Sequence, residues 1–274
     1  MAININTNVS SMVAQKNLLA NQKMLTSSFN RLSSGLRVNT AADDAAGLAV
    51  SESMKAQIRS YNVAERNAAD GVSMAQTAEG ALGEVHAILG RMRELAMQSA
   101  NGSLSSADRG HVSLEFVQLQ SEVTRIQGSA QFNGVNVVAT AATSVTFQVG
   151  LDNVAADQIT VGFGGVTLTT VLNATTSVTT ATAALNSLGR IDTAIGSVSG
   201  SRASFGAAMN RLDIAGSNIQ TMRLNLSAAN SRIRDVDVAE ETARLSRNQV
   251  LTQAGTSVLA QANQMPQMAM SLLG

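Results

Sequence analysis

At 274 residues the chain is long enough for one or two domains with a real core, and without cysteine it offers no disulfide and no thiolate site. Apolar residues make up 45%, which argues against wholesale disorder, while an aromatic share of 3% is thin for a compact globular core or a ligand pocket and suits slender helical seams of Leu, Ile, Val, Met and Ala. The formal net charge is zero, so no field for nucleic acid or an anionic membrane is implied.

The opening MAININTNVS has no basic stretch followed by an apolar one, so no secretory signal peptide is expected. No apolar run reaches bilayer length, so no membrane insertion is expected either. From Met1 to Ala42 the only charged residues are Lys16, Lys23, Arg31 and Arg37. Within 5–36, Leu18, Leu25 and Leu32 recur every seven residues, with Phe29 and Leu36 supplying intervening steps. The spacing predicts an amphipathic helix with an a/d seam.

Residues 43–100 read as one long helix, approaching ~85 Å at 1.5 Å per residue. Asp43 and Asp44 stand at its start, where carboxylates suit the free N–H groups. Met54, Ile58, Tyr61, Ala68, Val72, Ala75 and Leu82, then Val85, Leu89, Met92 and Ala96, form its stripe. Gly71, Gly80, Gly83 and Gly90 each cost about 1 kcal/mol against alanine, which points to close helix–helix approach or to some flexibility.

SANGSLSS (99–106) predicts a turn, and Ser105 with Asp108 predicts a capping-box start to a second helix. Val112, Phe116, Leu119, Val123 and Ile126 give that helix its seam, and Gly128 its close. The short joint predicts that it runs antiparallel to its predecessor.

Between 130 and 180 the chain turns rich in Thr, Val and Gly, with Asp152 and Asp157 its only charges. Asn133-Gly134 marks a tight turn. The alternations Val145-Phe147-Val149, Ile159-Val161-Phe163 and Val166-Leu168-Thr170 predict two or three short strands packed on helices. Helical spacing returns over 183–235 with Leu188, Ile191, Ile195, Val198, Phe205, Met209, Leu212, Ile219, Leu226 and Ile233. Arg202, Arg223 and Asn230 occupy seam positions, where polar groups can set register.

The segment Asn248–Gly274 has no charged residue, yet keeps a 4–3 pattern through Leu251, Gly255, Val258, Ala262, Met265, Ala269 and Leu272. Pro266 predicts either a bend or a helix that stops near Gln264. Together these features predict a mainly α fold of long antiparallel, coiled-coil-like helices with a small β-hairpin region. The two ends, 1–42 and 236–274, pair as one unit, and 43–235 forms a second unit with the hairpin at about 130–180. A two-helix pair covers only one face of each helix, so its remaining apolar, uncharged surface predicts self-association. Spacing alone does not choose between a closed oligomer and an open helical polymer.

The inventory for chemistry is bare. His86 and His111 have no partner ligands, and no phosphate loop, nucleophile elbow or H-E-x-x-H sequence occurs. Glu240 and Glu241 with Arg244 and Arg247 suit ion pairs along or between helices. No cofactor, metal or enzymatic activity is expected.

The stretches INTNVSSMVAQ (5–15), LSSGLRVNTAADDAAGLAVSE (32–52), RMRELAMQSANG (91–102) and QFNGV (131–135), with the region from Ile233 to Gly274, resemble bacterial flagellin over essentially the full length. The resemblance implies a structural subunit that polymerises into the extracellular flagellar filament for motility. It implies that the paired termini form an inner, channel-lining domain, and that the outer domains of larger flagellins are absent. The expected assembly seam is Leu18, Leu25, Phe29, Leu32, Leu36, Leu251, Val258, Ala262, Met265 and Leu272. Implied partners are further copies of the chain, the hook–filament junction proteins, the filament cap, the flagellar export chaperone and the export apparatus, and other flagellins. The resemblance also implies contact between a host toll-like receptor and Arg91, Leu95 and Glu115. Pro266 and the methionine-rich MPQMAMSLLG depart from the family pattern. A junction protein is the rival within the same machine, but its match to SGLRVNTAADDAAGLA is weaker; a secreted enzyme is the rival outside it.

Overall fold

The computed structural model describes residues 7–173 and 175–271. Helices α1 (Val9–Ser34), α2 (Ala45–Ala100) and α3 (Ser106–Ser129) are followed by strands β1 (Gln131–Phe132), β2 (Val135–Asn136), β3 (Thr143–Gln148) and β4 (Gln158–Phe163). A single turn α4 (Thr169–Leu172) then leads into α5 (Ala181–Arg234) and α6 (Val238–Ser271). The fold is mainly α with a small antiparallel β region. The chain forms two compact units: Met1–Ala56 with Asn225–Gly274, and Gln57–Leu224. These divisions fall inside α2 and α5 and not at the expected 42/43 and 235/236.

Local chemistry fixes the helix ends. Asn8 caps α1 by accepting from the Ser11 N–H at 3.0 Å, and Gly35 closes α1 in the left-handed region at φ 69°. Asp44, immediately before α2, accepts from the Gly47 N–H at 2.8 Å. The predicted capping box of α3 is present, with Ser105 and Asp108 each bonded to the other's backbone. Arg109 holds the α2–α3 turn by donating to the carbonyls of Ser99, Leu104 and Asn101 at 2.9, 2.9 and 2.7 Å.

In the 57–224 unit the core draws on all three long helices and on the β3–β4 hairpin. Leu82, Val85, Leu89 and Met92 of α2 meet Val112, Phe116 and Val123 of α3 and Ile191, Val198 and Leu212 of α5. Phe163 of β4 stacks on Phe205 of α5 with ring centroids 5.4 Å apart. The polar seam residues of α5 have partners on α2. Arg202 pairs with Glu79, and Arg223 donates to Asn62 at 2.6 Å and Glu65 at 2.7 Å. Later residues of α5 meet earlier residues of α2, so the two run antiparallel. Of Gly71, Gly80, Gly83 and Gly90 only Gly71 marks a close approach: a Cβ there would lie 3.0 Å from Leu212 Cδ1 and 3.2 Å from Phe147.

β3 and β4 pair antiparallel from Thr143 opposite Phe163 to Gln148 opposite Gln158. Asn133-Gly134 turns the short β1–β2 pair, both residues at positive φ. The third alternation, Val166-Leu168-Thr170, is not a strand. Gly164 and Gly165 both sit at positive φ and turn the chain away from β4, and Val166 and Leu168 instead plug the core ahead of α4. α6 runs through Pro266 to Ser271, so it does not stop near Gln264.

Candidate assembly site

In the 1–56/225–274 unit α1 and α6 pack as an antiparallel pair. Asn8 Nδ2 donates to the Ala262 carbonyl at 2.8 Å, and Ser11 Oγ to Asn263 Oδ1 at 2.7 Å. Further along, Leu18 Cδ1 stands 3.4 Å from where a Cβ on Gly255 would lie. That approach is close because Gly255 has no side chain. At the far end Leu36 bridges Asp235, the Val236 N–H donates to Gly35, and Arg37 donates to the Ile233 carbonyl at 2.7 Å. The guanidinium thus meets the last carbonyls of α5, where the helix dipole favours a cation. Ser51 Oγ donates to Asn230 at 2.7 Å, and Arg234 pairs with Glu52.

The seam between these helices mixes leucines with small and polar residues. On α1 the covered positions are Ser11, Ala14, Leu18, Asn21, Leu25, Ser27, Ser28, Arg31 and Leu32. On α6 they are Glu241, Leu245, Asn248, Thr252, Gly255, Leu259 and Ala262. Of the residues assigned to the seam from spacing, Leu18, Leu25, Leu32 and Ala262 lie in it, and Leu36 lies half-buried at the bridge beyond. Phe29 is 64% exposed, and Leu251, Val258 and Met265 are exposed as well. Within one copy those four are therefore outside the seam. On α6 the seam keeps the expected Gly255–Ala262 line but takes Thr252 and Leu259, one residue further on, in place of Leu251 and Val258. Leu272 lies outside the described residues.

The consequence is a pair that buries Ser11, Ser28, Glu241 and Asn248 and half-buries five leucines, while other large apolar side chains stay outside. Val9, Met12, Val13, Leu19, Met24 and Phe29 are exposed on α1, and Val250, Leu251, Val258 and Met265 on α6. Met24 and Leu251 flank a groove of about 490 Å³ whose polar wall includes Arg31, Glu241, Arg247 and Asn248. Such a surface, nearly bare of charge along α6 beyond Arg247, buries apolar area only against another molecule. Asn248, Ser11 and Ser28 were missed by hydrophobic spacing because they are polar. Their signal is the heptad step: Ser11 stands seven before Leu18, Ser28 seven beyond Asn21, and Asn248 seven before Gly255.

The second group of expected site residues divides. Arg91 and Glu115 are exposed and joined, Arg91 Nε donating to Glu115 at 2.9 Å while its NH1 donates to Glu94 at 2.9 Å. Glu115 and then Glu94 hold the Arg91 guanidinium above its ordinary pKa. Leu95 is 2% exposed and belongs to the core with Met92 and Ala96. Of the three residues that the resemblance implies for receptor contact, Arg91 and Glu115 are exposed and Leu95 is buried. Position 95 falls one turn beyond Met92 on the stripe that meets α3 and α5, so its side chain points inward. Among the described residues no cluster of His, Asp and Glu is suited to a metal, and no helix is long and apolar enough to cross a membrane.

Sequence comparisons agree with this architecture. Residues 5–143 match the bacterial flagellin N-terminal helical region, and residues 188–273 match the bacterial flagellin C-terminal helical region. A flagellin of Halalkalibacterium halodurans is 43% identical over 98% of this chain and 99% of its own length. The flagellar filament 33 kDa core protein of Treponema phagedenis is 40% identical over 98% and 99%. The crystal structure of Bacillus cereus flagellin superposes with a TM-score of 0.51 at 32% identity, covering 60% of this chain and 94% of that one. With both terminal helical regions matched and relatives aligned over 99% of their own length, the chain belongs to the bacterial flagellin family, as a short, non-enzymatic structural subunit of the flagellar filament without an outer domain.

Proposed function

We infer that this subunit polymerises through the exposed apolar faces of α1 and α6. One observation carries the reading: these two helices meet through leucines mixed with Ser11, Ser28 and Asn248 and leave Phe29, Leu251, Val258 and Met265 uncovered. The contact joins different patches on successive copies and so leaves each new end open to the next copy, the condition for an open helical polymer. The α1–α6 unit, 1–42 with 236–274, lines the filament channel, and 43–235 forms the surrounding layer. Leu18, Leu25, Leu32, Leu36 and Ala262 hold the pair together. Phe29, Leu251, Val258 and Met265 reach neighbouring copies, and Leu272 continues their seven-residue step.

The same uncovered helices define the other partners. Before assembly the charge-free α6 needs a cover, a role for the flagellar export chaperone, and the subunit leaves the cell through the export apparatus. Growth proceeds outside the cell between the hook–filament junction proteins and the filament cap, with other flagellins able to enter the same lattice. On released subunits the exposed Arg91–Glu115 pair is the contact offered to a host toll-like receptor.

Seeded growth tests the reading. Purified subunit should elongate sheared filament fragments, and a chain lacking residues 248–274 should not. Elongation by the truncated chain at the full-length rate would refute assembly through α6.

A further inference from the structure

Among the described residues, the exposed apolar surface of the α1–α6 unit carries three methionines, Met12, Met24 and Met265, which are 62, 48 and 52% exposed. The chain has no cysteine and no tryptophan, so its thioethers are the side chains most open to mild two-electron oxidants. Met97 and Met222, in the other unit, are also exposed, whereas Met74 and Met92 are buried. Oxidant therefore meets two accessible groups of methionines, one on the assembly face and one elsewhere.

We propose that Met12, Met24 and Met265 act as an oxidation switch on subunit addition, converted to sulfoxides by a hydroperoxide. The thioether sulfur attacks one oxygen of hydrogen peroxide and an S–O bond forms as the O–O bond breaks. Proton transfer to the departing hydroxide releases water, and the sulfur loses the two electrons that the peroxide gains. Each sulfoxide places a strong acceptor on a surface meant to be dry. Met24 shares its groove with Leu251 but also with Arg31, Arg244 and Arg247, so the cost of the added oxygen is largest at Met265, on the α6 stripe that Leu251 and Val258 begin. Arg247 is the last charged residue of α6, so no cation near Met265 on its own helix can satisfy the added oxygen. Once a neighbour covers these residues they are shielded, so free subunits are sensitive and finished filaments resistant.

The inference rests on the assembly reading above, and its test separates the two. Free subunits are treated with hydrogen peroxide, desalted, mapped by peptide mass spectrometry and added to sheared filament fragments. A M12L/M24L/M265L chain, whose substitutions keep volume and apolarity, is treated identically. Oxidised wild type should elongate at least roughly tenfold more slowly than untreated, and methionine sulfoxide reductases A and B together should restore its rate. The leucine chain, oxidised only at its remaining methionines, should keep its untreated rate within about twofold. Wild type that elongates normally with all three sulfoxides present overturns the switch, as does oxidised wild type that stays slow after every sulfoxide is reduced. An equal loss of rate in the leucine chain also overturns it. Failure of the assembly reading shows differently: Met12, Met24 and Met265 would react as fast in intact filaments as in free subunits.

Discussion

Replacing Phe29 with alanine separates the surface that builds the filament from the seam that holds one subunit together. Phe29 is 64% exposed, so little of its ring is used inside the chain. A phenylalanine side chain buries about 200 Å², which leaves roughly 130 Å² for a neighbour and about 3 kcal/mol at ~25 cal/mol per Å². Alanine keeps part of that contact, so Phe29→Ala should weaken each subunit addition by about 2 kcal/mol. The subunit concentration left at steady state should then rise roughly 30-fold. Stability of the free subunit should change by no more than about 0.5 kcal/mol, as for a surface site. Leu18→Ala is the counterpart: Leu18 is half-buried against Gly255, so its loss should loosen the α1–α6 pair itself. The assay is sedimentation of seeded reactions at a series of subunit concentrations, with circular dichroism of each variant before seeding. A steady-state concentration for Phe29→Ala within twofold of wild type would refute burial of Phe29 between copies.

Gly164→Ala should destabilise the 57–224 unit by about 2 kcal/mol or more, because Gly164 sits at φ 73° and a Cβ would lie 2.3 Å from the Ala141 carbonyl oxygen; an unchanged thermal midpoint would contradict this. Asp43 accepts from the backbone and hydroxyl of Thr40, both at 3.0 Å, and from the Asn39 N–H, and these bonds, with Arg31 nearby, hold its carboxyl below the ordinary range. Its stabilisation of the loop before α2 is therefore complete above the ordinary aspartate value of about 3.9 and is lost as pH falls through the lowered folded value. Amide exchange at Asn39 and Thr40, corrected for intrinsic rates, should be faster in Asp43→Asn than in wild type near neutral pH and equal at strongly acid pH; a difference that persists in acid would refute the assignment.

Most of the helical architecture was legible because one physical signal dominated it. In α2 the residues Leu82, Val85, Leu89 and Met92 repeat at helical spacing and are buried at that spacing, and Ser105 with Asp108 announces α3 by chemistry that only a helix start uses. Two features were not legible for the same kind of reason. Val166, Leu168 and Thr170 alternate like a strand, but alternation reports burial on one side and not a hydrogen-bonding partner, and the paired left-handed glycines had already turned the chain out of the sheet. On α6 the apolar stripe and the packed stripe differ. Leu251, Val258 and Met265 carry the hydrophobic signal, yet Asn248, Thr252 and Gly255 face α1, since spacing cannot tell a surface buried within one chain from a surface reserved for another.

That ambiguity at α6 is itself informative about function. A pair of helices whose purpose was to stabilise one chain would turn Phe29, Leu251 and Val258 inward, where each would contribute about 1.5–3 kcal/mol on burial. Here Ser11, Ser28 and Asn248 are buried while the seam leucines are only half-covered, so the pair has a weak seam and a partly hydrophobic exterior. The 57–224 unit does the opposite, closing Phe116, Phe163, Phe205 and Leu212 into a core of its own. The first arrangement leaves part of its folding free energy to be gained only in company; the second is satisfied alone. A helical polymer that grows by adding single subunits needs both, because a subunit with a well-buried terminal pair would have little left to gain by joining. It follows that moving apolar residues into the seam, as in Ser28→Leu or Asn248→Leu, would stabilise the free pair where they fit and would lower, not raise, the drive to assemble.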